Sequence, residues 1–378
     1  MRILYVINGF DPGGAEHGLL TLIEHGAFEG HNLRVLALCR GRGGLADRVV
    51  ENLGSERVHF VTSCERLTIQ ACVAGFFRIF VEALSLRPEK IVLSLKQANL
   101  VGRLAAMILP HITCVTFEHI AEYRARRFQG VYGPLLRLLS WRVDEIWADC
   151  AETLNESRRY FSPRRRVGHV IPLFVADRTG PCKGDYALGS PLRLAAAGRL
   201  VARKNVALMV DTIASLRAIG VDALLSIYGD GPEKKAIEDL IVERNLQERV
   251  TLHGYRADWK EQAVTADIFL NVSDTEGFCI VVAEAMLAGL PVIAVDVGGI
   301  RDYGRANGNM LKLALPDIDG ARTAILRLMG DSSFRERLGR QARTDMLREY
   351  EEEELAKRMA VALAEESRAK YQPYRASS

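Results

Sequence analysis

The stretch IFLNVSDTEGFCIVVAEAMLAG at residues 268–289 changes its period in mid-course. Residues 268–272 form a short apolar run, interrupted only by Asn271, and that length suits one buried strand. After Gly277 the apolar residues run on with helical spacing and stop at Gly289, a residue suited to ending a helix. Strand, loop and helix in that order make half of a βαβ unit. Working outward, the same alternation recurs along the chain. Strands are expected at 3–7, 33–38, 58–61, 91–95, 113–117 and 144–148, with helical patterns between them at about 15–28, 43–54, 68–86, 98–108 and 131–142. A second series follows, with strands at 192–196, 223–228, 250–253, 268–272 and 291–295, and it ends in a long helical stretch at roughly 318–368. These patterns predict an α/β protein with two Rossmann-like domains of parallel sheet, facing each other across a cleft. The first domain is expected at 1–176, a polar Gly/Pro-containing linker at 177–191, the second domain at 192–350, and at 351–378 a C-terminal helix crossing back to the first.

Composition sets limits on function. A chain of 378 residues suits two cores better than one, and its charged and apolar fractions of 26% and 48% are those of a soluble globular protein. The net charge of +3 is too small to argue for nucleic acid. Residues 1–175 carry 22 Lys/Arg against 17 Asp/Glu, about +5, whereas the remainder carries 28 against 30, about −2. That asymmetry is either ordinary surface variation or the mark of an anionic partner on one side. The seven cysteines are odd in number and never spaced C-x-x-C, so reduced thiols are expected rather than a disulfide framework or a zinc site. The N-terminus lacks a secretory pattern, and the apolar stretch 280–297 contains Glu284 and Pro291. A cytoplasmic protein is expected, with any membrane contact peripheral.

In open parallel sheets, ligands bind beyond the carboxyl ends of the strands, and several polar clusters fall there. After the first strand comes NGFDPGGAE at 8–16, where Gly13 and Gly14 let backbone amides approach a phosphate or merely make a tight turn. It is not the dinucleotide pattern G-x-G-x-x-G, so a nicotinamide cofactor is disfavoured. GRLVARKN at 198–205 sets Arg199, Arg203 and Lys204 in one loop, able to neutralise a diphosphate or simply to be solvated. GDGP at 229–232 reads as a turn. In DTEGFCIVVAEA at 274–285, Glu276 is expected just before a helix and Glu284 about two turns inside it. Eight helical steps advance about 12 Å and rotate about 80° off one face, so the two carboxylates are separate hydroxyl acceptors and not a proton-sharing pair. The helix N-terminus between them is free for phosphate. His119, after the strand at 113–117, is either structural or aimed at a ligand.

Taken together, G-G-A-E, G-R-x-x-x-R-K-N, G-D-G-P, E-G-F-x-x-x-x-x-E-A, A-x-G-x-P-V-I-A and V-G-G resemble the family-four glycosyltransferases, which have the GT-B fold and retain anomeric configuration. The resemblance runs from the first strand to about residue 315 and is most specific in the E-x7-E segment. It implies that Arg199 and Lys204 bind the donor diphosphate in place of a metal and stabilise the leaving nucleoside diphosphate. Glu284 would hold ribose hydroxyls and Glu276 hydroxyls of the donor sugar, with the amides of Gly277 and Phe278 beside sugar and phosphate. Gly13 and Gly14 would approach the diphosphate from the other domain, His119 the reacting carbon, and Tyr255 and Arg256 the base. No metal and no cofactor are then needed; the co-substrate is a UDP or GDP sugar, and front-face attack is favoured. Cys279, Asp302 and the turn at 307–309 depart from the family pattern.

The acceptor is expected to be a glycan or a lipid-linked molecule in envelope polysaccharide or glycolipid synthesis. Arg124, Arg126, Arg127, Arg137 and Arg142, interleaved with apolar residues between 121 and 142, suit either an anionic membrane or an ordinary helix packed on its domain. Two other functions fit the same fold: a sugar-nucleotide 2-epimerase, or a non-catalytic nucleotide-sugar-binding partner of another transferase.

Overall fold

The structure is a computed structural model that describes residues 1–120, 132–161 and 167–364. The chain forms two compact units, one comprising residues 1–175 with the segment from Glu352 onward, the other Ala176–Glu351.

In the first unit the order is β1 (Arg2–Ile7), α1 (Gly14–Glu24), β2 (Asn32–Ala37), α2 (Leu45–Leu53), β3 (Val58–Phe60), α3 (Ile69–Leu86), β4 (Lys90–Ser94), α4 (Lys96–Ile108), β5 (Thr113–Glu118), α5 (Tyr132–Leu138), β6 (Glu145–Ala148), α6 (Ala151–Phe161) and β7 (Val167–Val170). The sheet runs β3-β2-β1-β4-β5-β6-β7 and every pair is parallel. Residues 3–7 are wholly buried, as expected of a central strand covered by helices on both faces. Leu4, Val6, Leu36, Leu93, Ile79 and Ala105 share one core.

In the second unit the order is β8 (Leu192–Ala197), α7 (Val206–Ala218), β9 (Ala223–Tyr228), α8 (Lys234–Glu243), β10 (Val250–Gly254), α9 (Trp259–Ala263), β11 (Ile268–Asn271), α10 (Ile280–Leu287), β12 (Val292–Val295), α11 (Ile300–Tyr303), β13 (Leu311–Leu313), α12 (Ile318–Gly330) and α13 (Ser332–Glu349). Its parallel sheet runs β10-β9-β8-β11-β12-β13. The stretch 177–191 packs into this unit: Lys183 Nζ donates to the Ala266 carbonyl (2.8 Å), Tyr186 Oη to that of Gly289 (2.8 Å), and Arg335 to that of Tyr186. The last helix, α14 (Glu352–Ala364), belongs to the first unit, where the buried Lys90 ammonium bonds both Glu145 and the Ala362 carbonyl (2.8 Å).

Four details differ from the expectation. Strands β7 and β13 were absent from it, because runs of four and three residues at a sheet edge carry too little periodicity. The long stretch from 318 onward is three helices, broken at Asp331, whose carboxylate caps α13 through the Phe334 amide (2.8 Å), and again near Tyr350. The pattern at 131–142 becomes a short α-helix and a 3-10 turn; residues 121–131 lie outside the described residues. Arg142 is not a surface cation at all: it is buried, bonding the carbonyls of Ala106, Leu109 and Ile112 and the Asp144 carboxylate (2.7 Å).

Candidate functional site

Each sheet has one place where the strand order reverses, between β1 and β4 in the first unit and between β8 and β11 in the second. Loops leaving the two strands there diverge to opposite faces and open a crevice, the usual ligand position in such folds.

In the second unit these are the 198–205 and 272–279 loops, and they are laced together. The Asp274 amide donates to the Arg203 carbonyl (2.8 Å), Asn205 Nδ2 to the Val272 carbonyl (3.0 Å) and the Asp274 carboxylate (2.8 Å), and Arg203 to the Thr275 carbonyl (3.2 Å). The GDGP turn is pressed onto the first loop: a Cβ on Gly229, whose φ is +155°, would stand 1.9 Å from the Gly198 carbonyl oxygen. The V-G-G turn is pressed onto the second, with a Cβ on Gly298 (φ +56°) falling 2.4 Å from the Glu276 carbonyl oxygen. Glycine is required at both positions by the close approach and by the backbone conformation.

Within this frame Lys204 Nζ lies 2.5 Å from Glu276 Oε1, and Arg203 is 3.6 Å from Oε2. The Glu276 side chain is 5% exposed. Burial alone would raise its pKa, but Lys204 above all, with Arg203, outweighs that and holds the carboxyl below the ordinary glutamate value. Arg199, in the same loop, is exposed, and among the described residues no acidic partner faces its guanidinium. Gly277 and Phe278 are buried; the Phe278 ring packs against Tyr303 and Tyr350 at 5.2 and 5.3 Å, anchoring the loop.

The E-x7-E geometry differs from its expectation. The helix begins at Ile280, not after Gly277, because Cys279 takes a left-handed conformation (φ 63°) as the N-cap residue. Glu284 therefore sits one turn inside α10. The N-cap residue of α10 carries a thiol in place of the hydroxyl or carboxylate that usually caps a helix. Glu284 is 19% exposed at its side chain and 3.2 Å from Lys260 Nζ. Tyr255 is well exposed in the loop after β10, and Arg256 pairs with Asp258 (3.0 Å). Beside them Tyr228 stacks on His253 at 4.7 Å.

In the first unit, Gly13 caps α1 with an extended backbone, so no left-handed conformation demands glycine there. The loop is tied to the next one at the reversal point: Asn8 Oδ1 accepts from the Ala98 amide (2.8 Å), and Asn8 Nδ2 donates to Gln97 (2.6 Å). His119 follows β5 and its Nε2 is 2.8 Å from Ser94 Oγ at the end of β4. Its Nδ1 is enclosed with no hydrogen-bond partner among the described residues, and burial pushes its pKa down to about 3. The imidazole is neutral at neutral pH.

Each unit thus brings its own predicted residues to one sheet end: Lys204, Glu276, Gly277 and Phe278 with Arg199 in the second, and Gly13, Gly14 and His119 in the first. Sequence reasoning missed two participants. Arg203 was noted in the loop but given no role, although it is a second cation on Glu276. Lys260 went unremarked; its only signal was a cation four residues beyond Arg256, and its pairing with Glu284 is a product of tertiary structure.

Two Rossmann-like parallel sheets with these features define a GT-B fold, and solved structures agree. Anabaena HepE in complex with UDP-glucose has a TM-score of 0.80 at 19% identity, covering 96% of this chain and 99% of that one. The galactosyltransferase WaaB of lipopolysaccharide outer core, in its apo form, has a TM-score of 0.73 at 17% identity, over 96% and 99% of the two chains. Residues 188–345 match the family described as glycosyl transferases group 1. The N-acetyl-alpha-D-glucosaminyl L-malate synthase of Bacillus anthracis is 28% identical over 256 residues, 66% of this chain and 67% of the relative. The alpha-D-kanosaminyltransferase of Streptomyces kanamyceticus is 29% identical over 247 residues, which span 60% of this chain and 62% of that protein. Over residues 188–345 the chain is thus similar to group 1 glycosyl transferases, and over nearly its whole length it shares the fold of the two solved structures.

Proposed function

We propose that the chain transfers a hexose-type sugar from a nucleoside-diphosphate donor, a UDP sugar first among the candidates, to a glycan or lipid-linked acceptor, with retention of configuration and without a metal. The observation that carries this is the cation-rich loop at the reversal point of the second sheet, where Lys204 and Arg203 hold Glu276 and Arg199 stands unopposed. A diphosphate brings two negative charges to such a loop, and fixed cations stabilise the charge that grows as the nucleoside diphosphate departs. Lys204 and Arg199 take that role, and the first turn of α10 adds amides for a phosphate oxygen. Glu276, held ionised, accepts from donor-sugar hydroxyls. Glu284 accepts from the ribose hydroxyls once Lys260 shares or yields it. His119, neutral, contacts the transferred sugar without adding charge. The bond from the anomeric carbon to the diphosphate breaks as the acceptor oxygen bonds the same face and its proton passes to the departing phosphate.

Supporting the donor class, HepE is solved with UDP-glucose, and the group 1 match covers the unit that holds this loop. Thermal-shift screening against UDP-, GDP-, ADP- and dTDP-sugars tests the reading, because a ligand at a hundred times its Kd stabilises the folded state by about 2.7 kcal/mol. Arg199→Ala is expected to abolish that shift while leaving the melting temperature of the free protein unchanged, since its side chain is exposed. A protein that no sugar nucleotide shifts, or Arg199→Ala and Glu284→Ala variants with undiminished transfer, would overturn the assignment.

A further inference from the structure

Helix α3 has two apolar faces. Ala71, Gly75, Ile79, Ala83 and Leu86 are buried. On the other side Ile69 is 84% exposed, Phe77 63% and Leu84 79%, with Val73 and Val81 exposed between them. At 100° per residue these five fall within an arc of about 120°, opposite the buried face. α3 is long and apolar enough to cross a membrane, yet one face is committed to the core, so it lies along the surface of the unit.

The ridge extends to its neighbours. The crossovers β3 to β4, β4 to β5 and β5 to β6 all step the same way across the sheet, which puts α3, α4 and α5 on one side of it. α3 packs on α4, and α4 on α5 and the following 3-10 turn. Leu104, Met107 and Ile108 of α4 and Leu138 and Trp141 beyond it are exposed.

Charge identifies the occupant. Among the described residues these helices and the 3-10 turn contain one carboxylate, Glu82, and it is buried against Arg34, His59 and Arg78. The exposed charges on these elements are the cations Lys96, Arg137 and Arg78, the last paired with Glu82; at the two ends of α3 the exposed Arg66 stands beside Glu65, and Arg87 two residues before Glu89, which pairs with Arg2. A second copy of this face would set cation against cation in a two-fold contact. An anionic lipid surface neutralises them and accepts protruding apolar side chains without a shaped groove.

We propose that this face docks the first unit on an anionic bilayer, with Ile69, Phe77, Leu84 and Trp141 in the headgroup–acyl boundary and Arg66 and Arg87 against lipid phosphates. The arginine-rich segment 121–131 is not needed for it, and the proposal goes beyond the donor-site reading and does not depend on it.

Flotation of the full chain with vesicles tests it, in the absence of any sugar nucleotide. The protein is expected to float with vesicles of mixed phosphatidylcholine and phosphatidylglycerol, and at least about tenfold less with phosphatidylcholine alone, because each interfacial cation adds about 1 kcal/mol. The Ile69→Asp, Phe77→Asp variant is expected to lose binding at least about tenfold. Arg66→Gln with Arg87→Gln is expected to lose the preference for phosphatidylglycerol, and it keeps the test open if the aspartates disturb folding. Melting curves and far-ultraviolet circular dichroism verify that the variants are folded. Wild-type protein that stays unbound, variants that float unchanged, or a solution dimer that Phe77→Asp converts to monomer would each overturn the proposal.

Discussion

Replacing Lys204 by methionine isolates the ion pair on which the donor loop is built. The Glu276 side chain is 5% exposed and that of Lys204 11%, so the pair sits where solvent screens little. Removing one member of a buried pair strands the other charge at a cost of about 3–5 kcal/mol. Arg203, 3.6 Å from the carboxylate and one-third exposed, takes up part of that. A net loss of about 2–3 kcal/mol is expected. For a unit the size of Ala176–Glu351, at about 2–4 °C per kcal/mol, the melting point should fall by about 4–12 °C. The sign with pH follows from the lowered pKa of Glu276: its pairing contributes stability above the ordinary glutamate range and loses it as pH falls through the depressed folded value. The variant's deficit should therefore be full at pH 7 and shrink on acidification. Calorimetry of Lys204→Met, Glu276→Gln and the double variant is the assay, following the transition that UDP-glucose moves, since a chain of two units need not unfold in one step. The double variant should be more stable than the sum of the single losses implies. Strict additivity, with coupling under about 0.5 kcal/mol, would refute the account of Glu276 as a charge held by Lys204.

Two further outcomes follow from the geometry. Gly229→Ala forces a Cβ to within 1.9 Å of a carbonyl oxygen at φ +155°, so a loss of about 3 kcal/mol is expected by thermal denaturation, against no loss for Gly330→Ala, where nothing lies within 4 Å. Burial lowers His119 to about 3 and His169 to about 4, so both stay neutral in the folded unit while the unfolded chain protonates. Stability then falls as pH drops from about 6.5 toward 4, by up to about 1.4 kcal/mol per pH unit for each histidine, and His119→Asn with His169→Asn should flatten that slope in pH-dependent calorimetry.

Much of this molecule could be read from residue order. The runs at 3–7 and 268–272 are apolar enough to mark central strands, and the period change after Gly277 marks a strand entering a helix. Because ligands of parallel sheets lie at strand carboxyl ends, Gly13, Gly14, His119, Arg199, Lys204 and Glu276 stood out by position and Glu284 by its spacing from Glu276, while their expected roles came from the family resemblance. Other features depended on atoms distant in the chain. The short edge strands β7 and β13 exist through their neighbours' hydrogen bonds, not through their own pattern. Arg142, whose helical pattern suited either an anionic membrane or packing on its own domain, is buried because three carbonyls and Asp144 converge on it. Cys279 shifts the start of α10 through a left-handed backbone that no periodicity announces. Residue order placed polar side chains at the strand ends, since strand ends are local. Which charges neutralise one another, Lys204 with Glu276 and Lys260 with Glu284, was decided by the tertiary structure, because a Coulomb pair depends on distance and burial rather than on separation along the chain.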